Sequence, residues 1–330
     1  MRFDLTDEQR GFADSLGDLL DGTDVAAGAR AWAAGEHEPG LMLWKRLADL
    51  GVHGLCVPEH SGGLGAEPMD VVVAFEQLGR YAVPGPWVES VVLAPALLSA
   101  ADGAAEDRLA SLAEGTAIAT VAVPPYTPYG LDADIATDIL LLGGGRLTEL
   151  SRAVAGDLHR SVDGSRRLFS LTRGDAVATL DASVVEGAMD SAVLACAAQL
   201  LGAGERLLLE SVEYAKARRQ FGRPIGAFQA LKHAMADVRV ELDFARPLIY
   251  GAALSLGSPE GSRDVSAAKV AAGDAAYSAS RVALQVHGAI GYTAEHDLGL
   301  WITKVRALVA AWGTPALHRD RVLSAIAGRS

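Results

Sequence analysis

The chain has 330 residues, which at roughly 100–200 residues per domain implies two or three domains, or one large domain built in layers. Lys and Arg total 29 against 41 for Asp and Glu, a formal net charge of −12; non-specific binding to nucleic acid or an anionic membrane is thereby disfavoured, because such binding comes mostly from neutralising phosphates with excess cations. Half of the residues are hydrophobic, yet Cys56 and Cys196 are the only cysteines, which excludes a disulfide framework or a multi-cysteine metal site and fits a reducing cytoplasm.

The opening Met1-Arg2-Phe3-Asp4-Leu5-Thr6-Asp7-Glu8 is acidic and lacks an apolar core, so a secretory leader is not expected. Thr6 or Asp7 is placed to cap a first helix whose Phe12, Leu16, Leu19 and Leu20 share one face. A second helix is predicted from Leu41 to Leu50, ending at Gly51 as a C′ glycine. Val57-Pro58-Glu59-His60-Ser61-Gly62-Gly63-Leu64-Gly65 is too glycine-rich for either regular element and reads as a loop. Helical pattern resumes from Met69 to Arg80 and from Val88 to Glu114. The richest apolar run, Val91 to Ala101, is short and contains Pro95, so no run reaches the roughly 18 residues that span a bilayer.

From about Ile118 the pattern changes to short runs bounded by Pro, Gly or Asp: Ala119–Val123, Ile139–Leu142, Leu168–Leu171 and Ala176–Leu180 are predicted strands. Gly143-Gly144-Gly145 is a turn and not a phosphate loop, since no helix with Lys-Ser or Lys-Thr follows it. From about Glu186 the chain is helical again, over Ala192–Arg218, Phe228–Leu256, Val265–His287, Leu298–Ala311 and a last helix to Ala327. The expected architecture is α+β with segregated strands: an N-terminal helical domain over 1–117, a small β domain over 118–185 and a helical bundle over 186–330.

Two stretches can carry chemistry. In the first, Tyr214 to Gln229, a long helix ends in Arg218, Arg219 and Arg223 before a Gly/Pro turn. Guanidinium forks with Phe221 between them suit a diphosphate bearing a flat ring, and equally suit a basic corner that neutralises the carbonyl end of its helix. In the second, Gln285 to His296, a helix ends at Gly288, where a ligand can approach the backbone and Gln285 offers an amide. His287 and His233 read as hydrogen-bonded packing residues, Cys196 as an inert core thiol and Glu295 as structural; no metal ligand set is expected.

Arg218-x-Gln220-Phe221-Gly222, Phe228-Gln229 and Gln285-x-x-Gly288, with Val57–Gly65 and Glu76-Gln77-Leu78-Gly79-Arg80 upstream, resemble the acyl-CoA dehydrogenase family in order and spacing. The resemblance covers the helical segments at both ends and not the middle. It implies an N-terminal helical domain, a central β domain and a C-terminal four-helix bundle, assembled as a dimer of dimers. It further implies FAD held at a subunit interface, and oxidation of an acyl-CoA thioester to the trans-2-enoyl-CoA with an electron-transfer protein as acceptor. For this chain it implies cofactor binding by Arg218, Gln220, Phe221, Gln285, Gly288 and Thr314. The resemblance has the first five reach the adenine and diphosphate of a flavin whose ring sits in a neighbouring subunit.

The same resemblance marks departures. The reaction needs a carboxylate base, and the family's usual Glu precedes a Gly-Thr pair; here Trp312 precedes Gly313-Thr314, and an indole cannot serve. The family's other position for the base falls on Ala192, also inert, which leaves Asp190 and Glu186 nearby as weak candidates; two residues along a helix is about 200° of rotation, so Asp190 is expected to point away. The Thr-Glu-Pro and Trp-Ile-Thr segments that hold the flavin ring are replaced by Val121–Thr127 and by nothing recognisable, within a shortened β domain. This pattern resembles the short, degenerate subunit of actinobacterial α2β2 acyl-CoA dehydrogenases, which act largely on CoA thioesters of steroid side chains. A homologous full-length subunit would then supply the ring site and the Glu. A non-catalytic scaffold or regulatory paralogue, and a self-sufficient flavoenzyme using Asp190 or Glu186, are the alternatives.

Overall fold

The computed structural model describes residues 4–101, 105–150, 155–172, 174–293 and 296–328; Glu295 lies outside them. Helix α1 (Asp7–Asp21) starts at a capping box, with Gln9 N–H donating to Thr6 Oγ1 at 3.2 Å and Thr6 N–H to Gln9 Oε1 at 3.1 Å. Its Leu16 and Leu20 are buried, with Phe12 and Leu19 packed at the edge. Helix α2 (Val25–Ala33) was not foreseen. It carries the buried Trp32, whose indole N–H donates to Asp132 Oδ1 at 3.0 Å and ties the helix to the β region. Helix α3 (Glu38–Asp49) ends as expected before Gly51, at φ 81°. The expected loop after it contains one 3₁₀ turn, Glu59–Ser61. Helix α4 (Pro68–Arg80) is followed by a π-helical turn over Val88–Leu93, α5 (Ala94–Ser99) and α6 (Glu106–Ala113).

The β region holds β1 (Ala119–Ala122), β2 (Gly130–Leu131), β3 (Asp138–Gly143), β4 (Arg146–Leu150), β5 (Ala155–His159), β6 (Leu168–Leu171) and β7 (Asp175–Thr179). One sheet runs β1-β3-β4-β7, with β1 parallel to β3 and the remaining pairs antiparallel; the other runs β2-β6-β5, all antiparallel. Gly144 and Gly145, at φ 59° and 74°, form the two-residue turn between β3 and β4, a geometry that needs positive φ at both positions.

Helices α7 (Ala182–Ala217), α8 (Gln229–Ser255), α9 (Gly261–His287), α10 (Leu298–Ala310) and α11 (Pro315–Ala327) complete the chain. Helix α7 begins earlier than its apolar pattern suggests because its first turns carry polar residues, among them Ser183, Glu186 and Asp190. It contains an 18-residue window apolar enough in length and composition to span a membrane; 83% of that window is buried in the protein, so its apolarity is spent on packing. The Glu76–Arg80 stretch serves this packing. A Cβ on Gly79 would lie 2.0 Å from the Gln199 carbonyl oxygen, and one on Gly202 would lie 1.9 Å from that of Glu76, so α4 and α7 touch backbone to backbone. Arg246 Nη1 then donates to both Glu76 oxygens, at 2.9 and 2.8 Å, and Nη2 to Glu205, locking α8 onto that crossing. One continuous core runs from Leu16 to Trp312 through the helices and the four-stranded sheet.

Candidate functional site

The corner between α7 and α8 is built by its own backbone. The Arg218 N–H closes α7 on the Tyr214 carbonyl at 2.8 Å, and the Ile225 N–H returns to the Arg218 carbonyl at 2.8 Å. Between them Arg219–Gln220 (β8) and Arg223–Pro224 (β9) pair as a miniature hairpin. Its tip is Phe221 at φ 52° and Gly222 at φ 80°. Phe221 is 89% exposed, its ring edge-on to Phe228 at 6.1 Å, with the Arg223 guanidinium 4.2 Å above the Phe228 ring. Arg218 and Gln220 are exposed, and Arg219 donates to the Gly222 carbonyl at 3.3 Å. Among the described residues none of the three corner arginines pairs with a carboxylate within 4.0 Å.

The second stretch lies at the same end of the bundle. The His287 ring, buried and stacked on Tyr214 at 4.3 Å, joins the last turn of α9 to the last turn of α7. Its Nδ1–H donates to the Ala283 carbonyl at 2.8 Å, and burial pushes its pKa down, so it is a packing residue. Gln285 and Gly288, on either side of it, are exposed. Gly288 sits at φ 62°, and a Cβ there would meet nothing within 4 Å, so it leaves an open backbone face. Tyr214 and His287 thus bring Arg218, Gln220, Phe221, Gln285 and Gly288 to one end. Thr314 is elsewhere: its hydroxyl accepts the Leu317 N–H at 3.3 Å and caps α11. His233, expected to pack, is exposed on α8; Cys196 is buried on α7, and desolvation raises its pKa.

Trp312 and Tyr126 line one cavity of about 560 Å³, together with Met189, Val193, Leu317 and Arg321. Trp312 is 1% exposed at φ 62°, and its indole N–H has no partner among the described residues. Its carbonyl accepts His318 Nε2–H at 3.1 Å, while His318 Nδ1 takes the Ser266 hydroxyl at 3.2 Å; burial pushes His318 down to about 4, which keeps the ring neutral. Gly313, at φ 112°, leaves room for that ring, since a Cβ would lie 2.6 Å from His318 Nε2. Neither His318 nor Arg321 was singled out in the sequence, where isolated polar residues on a helix give no signal.

Asp190 turns away from this cavity, as its helical rotation predicts. Its carboxylate accepts Arg321 Nη2 at 2.9 Å and the Ser262 hydroxyl. Glu186 lines the cavity with its side chain 62% exposed, 3.7 Å from the same Arg321. Ala192, two residues beyond Asp190 along α7, is fully buried.

Residues 6–116 match the acyl-CoA dehydrogenase N-terminal domain and residues 182–327 the acyl-CoA dehydrogenase C-terminal domain. The chain is 36% identical over 279 residues to acyl-CoA dehydrogenase IpdE2 of Mycobacterium tuberculosis, covering 84% of each. Its fold matches the ChsE4-ChsE5 complex of Mycobacterium tuberculosis with a TM-score of 0.84 at 22% identity, covering 99% of each chain. It matches the Tcur3481-Tcur3483 steroid ACAD with a TM-score of 0.86 at 22% identity, covering 98% of each. The chain belongs to the acyl-CoA dehydrogenase family, whose fold it has. The fold also matches, with a TM-score of 0.82 at 17% identity and over 100% of each chain, a structure of PigA in complex with FAD. In this chain three guanidiniums with no carboxylate partner among the described residues, beside an exposed aromatic ring, have the chemistry that suits the diphosphate side of FAD.

Proposed function

We propose that this chain is one subunit of a cytoplasmic, FAD-dependent acyl-CoA dehydrogenase of α2β2 form. It contributes the adenine and diphosphate half of an FAD site, and a homologous full-length subunit contributes the flavin-ring site and the catalytic Glu. When bound, FAD supplies the acceptor for the β-hydride as the acyl-CoA becomes the 2,3-enoyl-CoA; an electron-transfer protein reoxidises it. The substrate class we infer is a bulky, steroid side-chain-type thioester, supported by the likeness to the Tcur3481-Tcur3483 steroid ACAD.

The observation that carries this reading is the corner itself. Arg218, Arg219 and Arg223 present charge with no carboxylate partner among the described residues, and Phe221 stands 89% exposed at the tip. An exposed aromatic flanked by free guanidiniums matches the composition of interface anchors. By contrast, the cavity beside Tyr126 is closed at the expected base position by Trp312. The chain's part is to bind and orient: guanidinium forks hold phosphate oxygens bidentately, Gln285 offers an amide, and Gly288 admits close approach.

The test is paired expression. The chain alone is expected to be colourless, and its co-expression with a full-length family member to give yellow α2β2 material, one FAD per αβ pair. One flavin per chain from the chain alone would overturn this reading. That outcome would favour the second reading, a self-sufficient flavoenzyme, because Glu186 is the one carboxylate lining the cavity among the described residues. A stable but colourless complex would favour the scaffold.

A further inference from the structure

A group of charged side chains lies buried where the π-helical turn, the three-stranded sheet and α10 meet. Much of it is internally bonded, although Asp132 Oδ2 and Asp163 Oδ2 accept no hydrogen bond among the described residues. Asp132 accepts the Trp32 indole N–H at 3.0 Å. Asp163 accepts the Ser165 N–H at 3.0 Å and its hydroxyl at 2.7 Å, and faces Lys304 Nζ at 3.5 Å; Lys304 also donates to the Val83 carbonyl at 3.3 Å.

Glu89 and Arg166 are left over. Glu89 is 3% exposed, and among the described residues no cationic nitrogen lies within 4.0 Å of its carboxylate, which takes a bond only from its own backbone. Arg166 is half-buried and has no carboxylate within that distance. Both line a cavity of about 280 Å³ with apolar walls from Leu131, Leu168, Ala307 and Ala310, and with Ser161, Tyr129 and the Arg306 side chain also on its lining. An unpaired buried carboxylate is costly, and Val88, Val91, Val92 and Leu93 around it are all buried apolar residues, so packing does not call for a charge here. Glu89 is the second residue of a π-helical turn, a geometry frequent at functional sites. The turn is anchored on its other side by the Ala119 N–H, which donates to Ser90 Oγ at 3.0 Å.

We propose that this cavity is a ligand site in which Glu89 and Arg166 clasp the hydroxyl group of a small, otherwise apolar molecule. A hydroxyl donates and accepts at one oxygen, so it satisfies the Glu89 acceptor and the Arg166 donor together. A carboxylate ligand is opposed by the buried Glu89, an ammonium by Arg166 and by Arg306, whose guanidinium lies over the Tyr277 ring, and a ketone leaves Glu89 unmatched. Burial raises the proton affinity of Glu89 while Arg166 lowers it, and the hydroxyl bridges either balance. The site does not depend on the subunit reading above.

The test is ligand-observed saturation-transfer NMR on the full chain with three probes: cyclohexanol, cyclohexanone and cyclohexanecarboxylate. Cyclohexanol is expected to bind, and cyclohexanone to bind about tenfold more weakly, since a site built for a hydroxyl leaves its own polar group unpaired on the analogue. Glu89→Leu and Arg166→Met should each weaken cyclohexanol about tenfold, whereas Glu89→Gln, which keeps an acceptor oxygen, stays within a few-fold. Thermal unfolding checks that each variant is folded; Arg166 is half-exposed, so its variant tests the site even if a Glu89 variant does not fold. Absence of alcohol binding, equal alcohol and ketone binding, preference for the carboxylate, or binding unmoved by folded variants would overturn the proposal.

Discussion

At the α7–α8 corner the cations face solvent with no carboxylate partner among the described residues, whereas beside Trp312 the charged Arg321 and the ring of His318 are bound to neighbouring groups, the Trp312 indole N–H excepted. Arg218, Arg219 and Arg223 have no ion pair among the described residues, while Arg321 is held by Asp190, and His318 by Ser266 and the Trp312 carbonyl. Charge that stabilises its own chain is consumed internally, because leaving it buried and unpaired is costly. Charge that stays free at the surface costs the monomer little and remains available to something else. The two regions therefore differ in what their charges do for the chain itself: those beside Trp312 hold its elements together, while those at the corner leave binding capacity over, which the proposed cofactor half-site would use.

The contrast is open to attack at both regions. The largest effect on cofactor binding is expected from Arg218→Ala in the co-expressed complex: losing one bidentate phosphate contact, about 2 kcal/mol, weakens flavin retention about thirtyfold with stability unchanged, read from flavin-to-protein absorbance and thermal unfolding. If that variant instead unfolds the protein, the corner is structural. Arg246→Met is the converse, leaving Glu76 and Glu205 without their shared cation and destabilising by about 3 kcal/mol in urea titration. Gly79→Ala forces α4 and α7 apart and should cost about 1–3 kcal/mol by the same measure.

A pH effect comes next. His318 is pushed from 6.5 down to about 4 by burial, so its contribution is fully present above about pH 6.5 and is lost as pH falls towards 4. His318→Gln should flatten the urea midpoint across that window. The smallest effect is that of Arg219→Ala on stability, expected within about 0.5 kcal/mol of wild type in urea titration, since the exposed side chain loses one solvent-facing hydrogen bond, to the Gly222 carbonyl.

Much of this fold is legible in the sequence where periodicity is strong. The apolar spacing of Leu16 and Leu20, the Thr6 cap and the Gly51 stop all correspond to observed features. Helix α2 escaped because Val25-Ala26-Ala27-Gly28-Ala29 offers no large apolar periodicity, and β2 because two residues make no pattern. Strand β4 begins with Arg146 and alternates Leu147, Thr148, Glu149, Leu150, a run whose charges mask it beside three glycines. The corner arginines were legible as composition, since they cluster in the chain. The isolation of Glu89 was not: one acid within Trp87-Val88-Glu89-Ser90-Val91 reads like any other until the fold reveals which neighbours have already paired.

The miniature hairpin at the corner also bears on how an assembly forms. Its backbone is closed by bonds within the chain, so Phe221 and its flanking arginines are presented before any partner arrives. Association then pays little to order this segment, and its rate is set by the encounter of two prepared surfaces. Subunit joining should be second order in protein and slow on dilution, with the folding of this chain already complete.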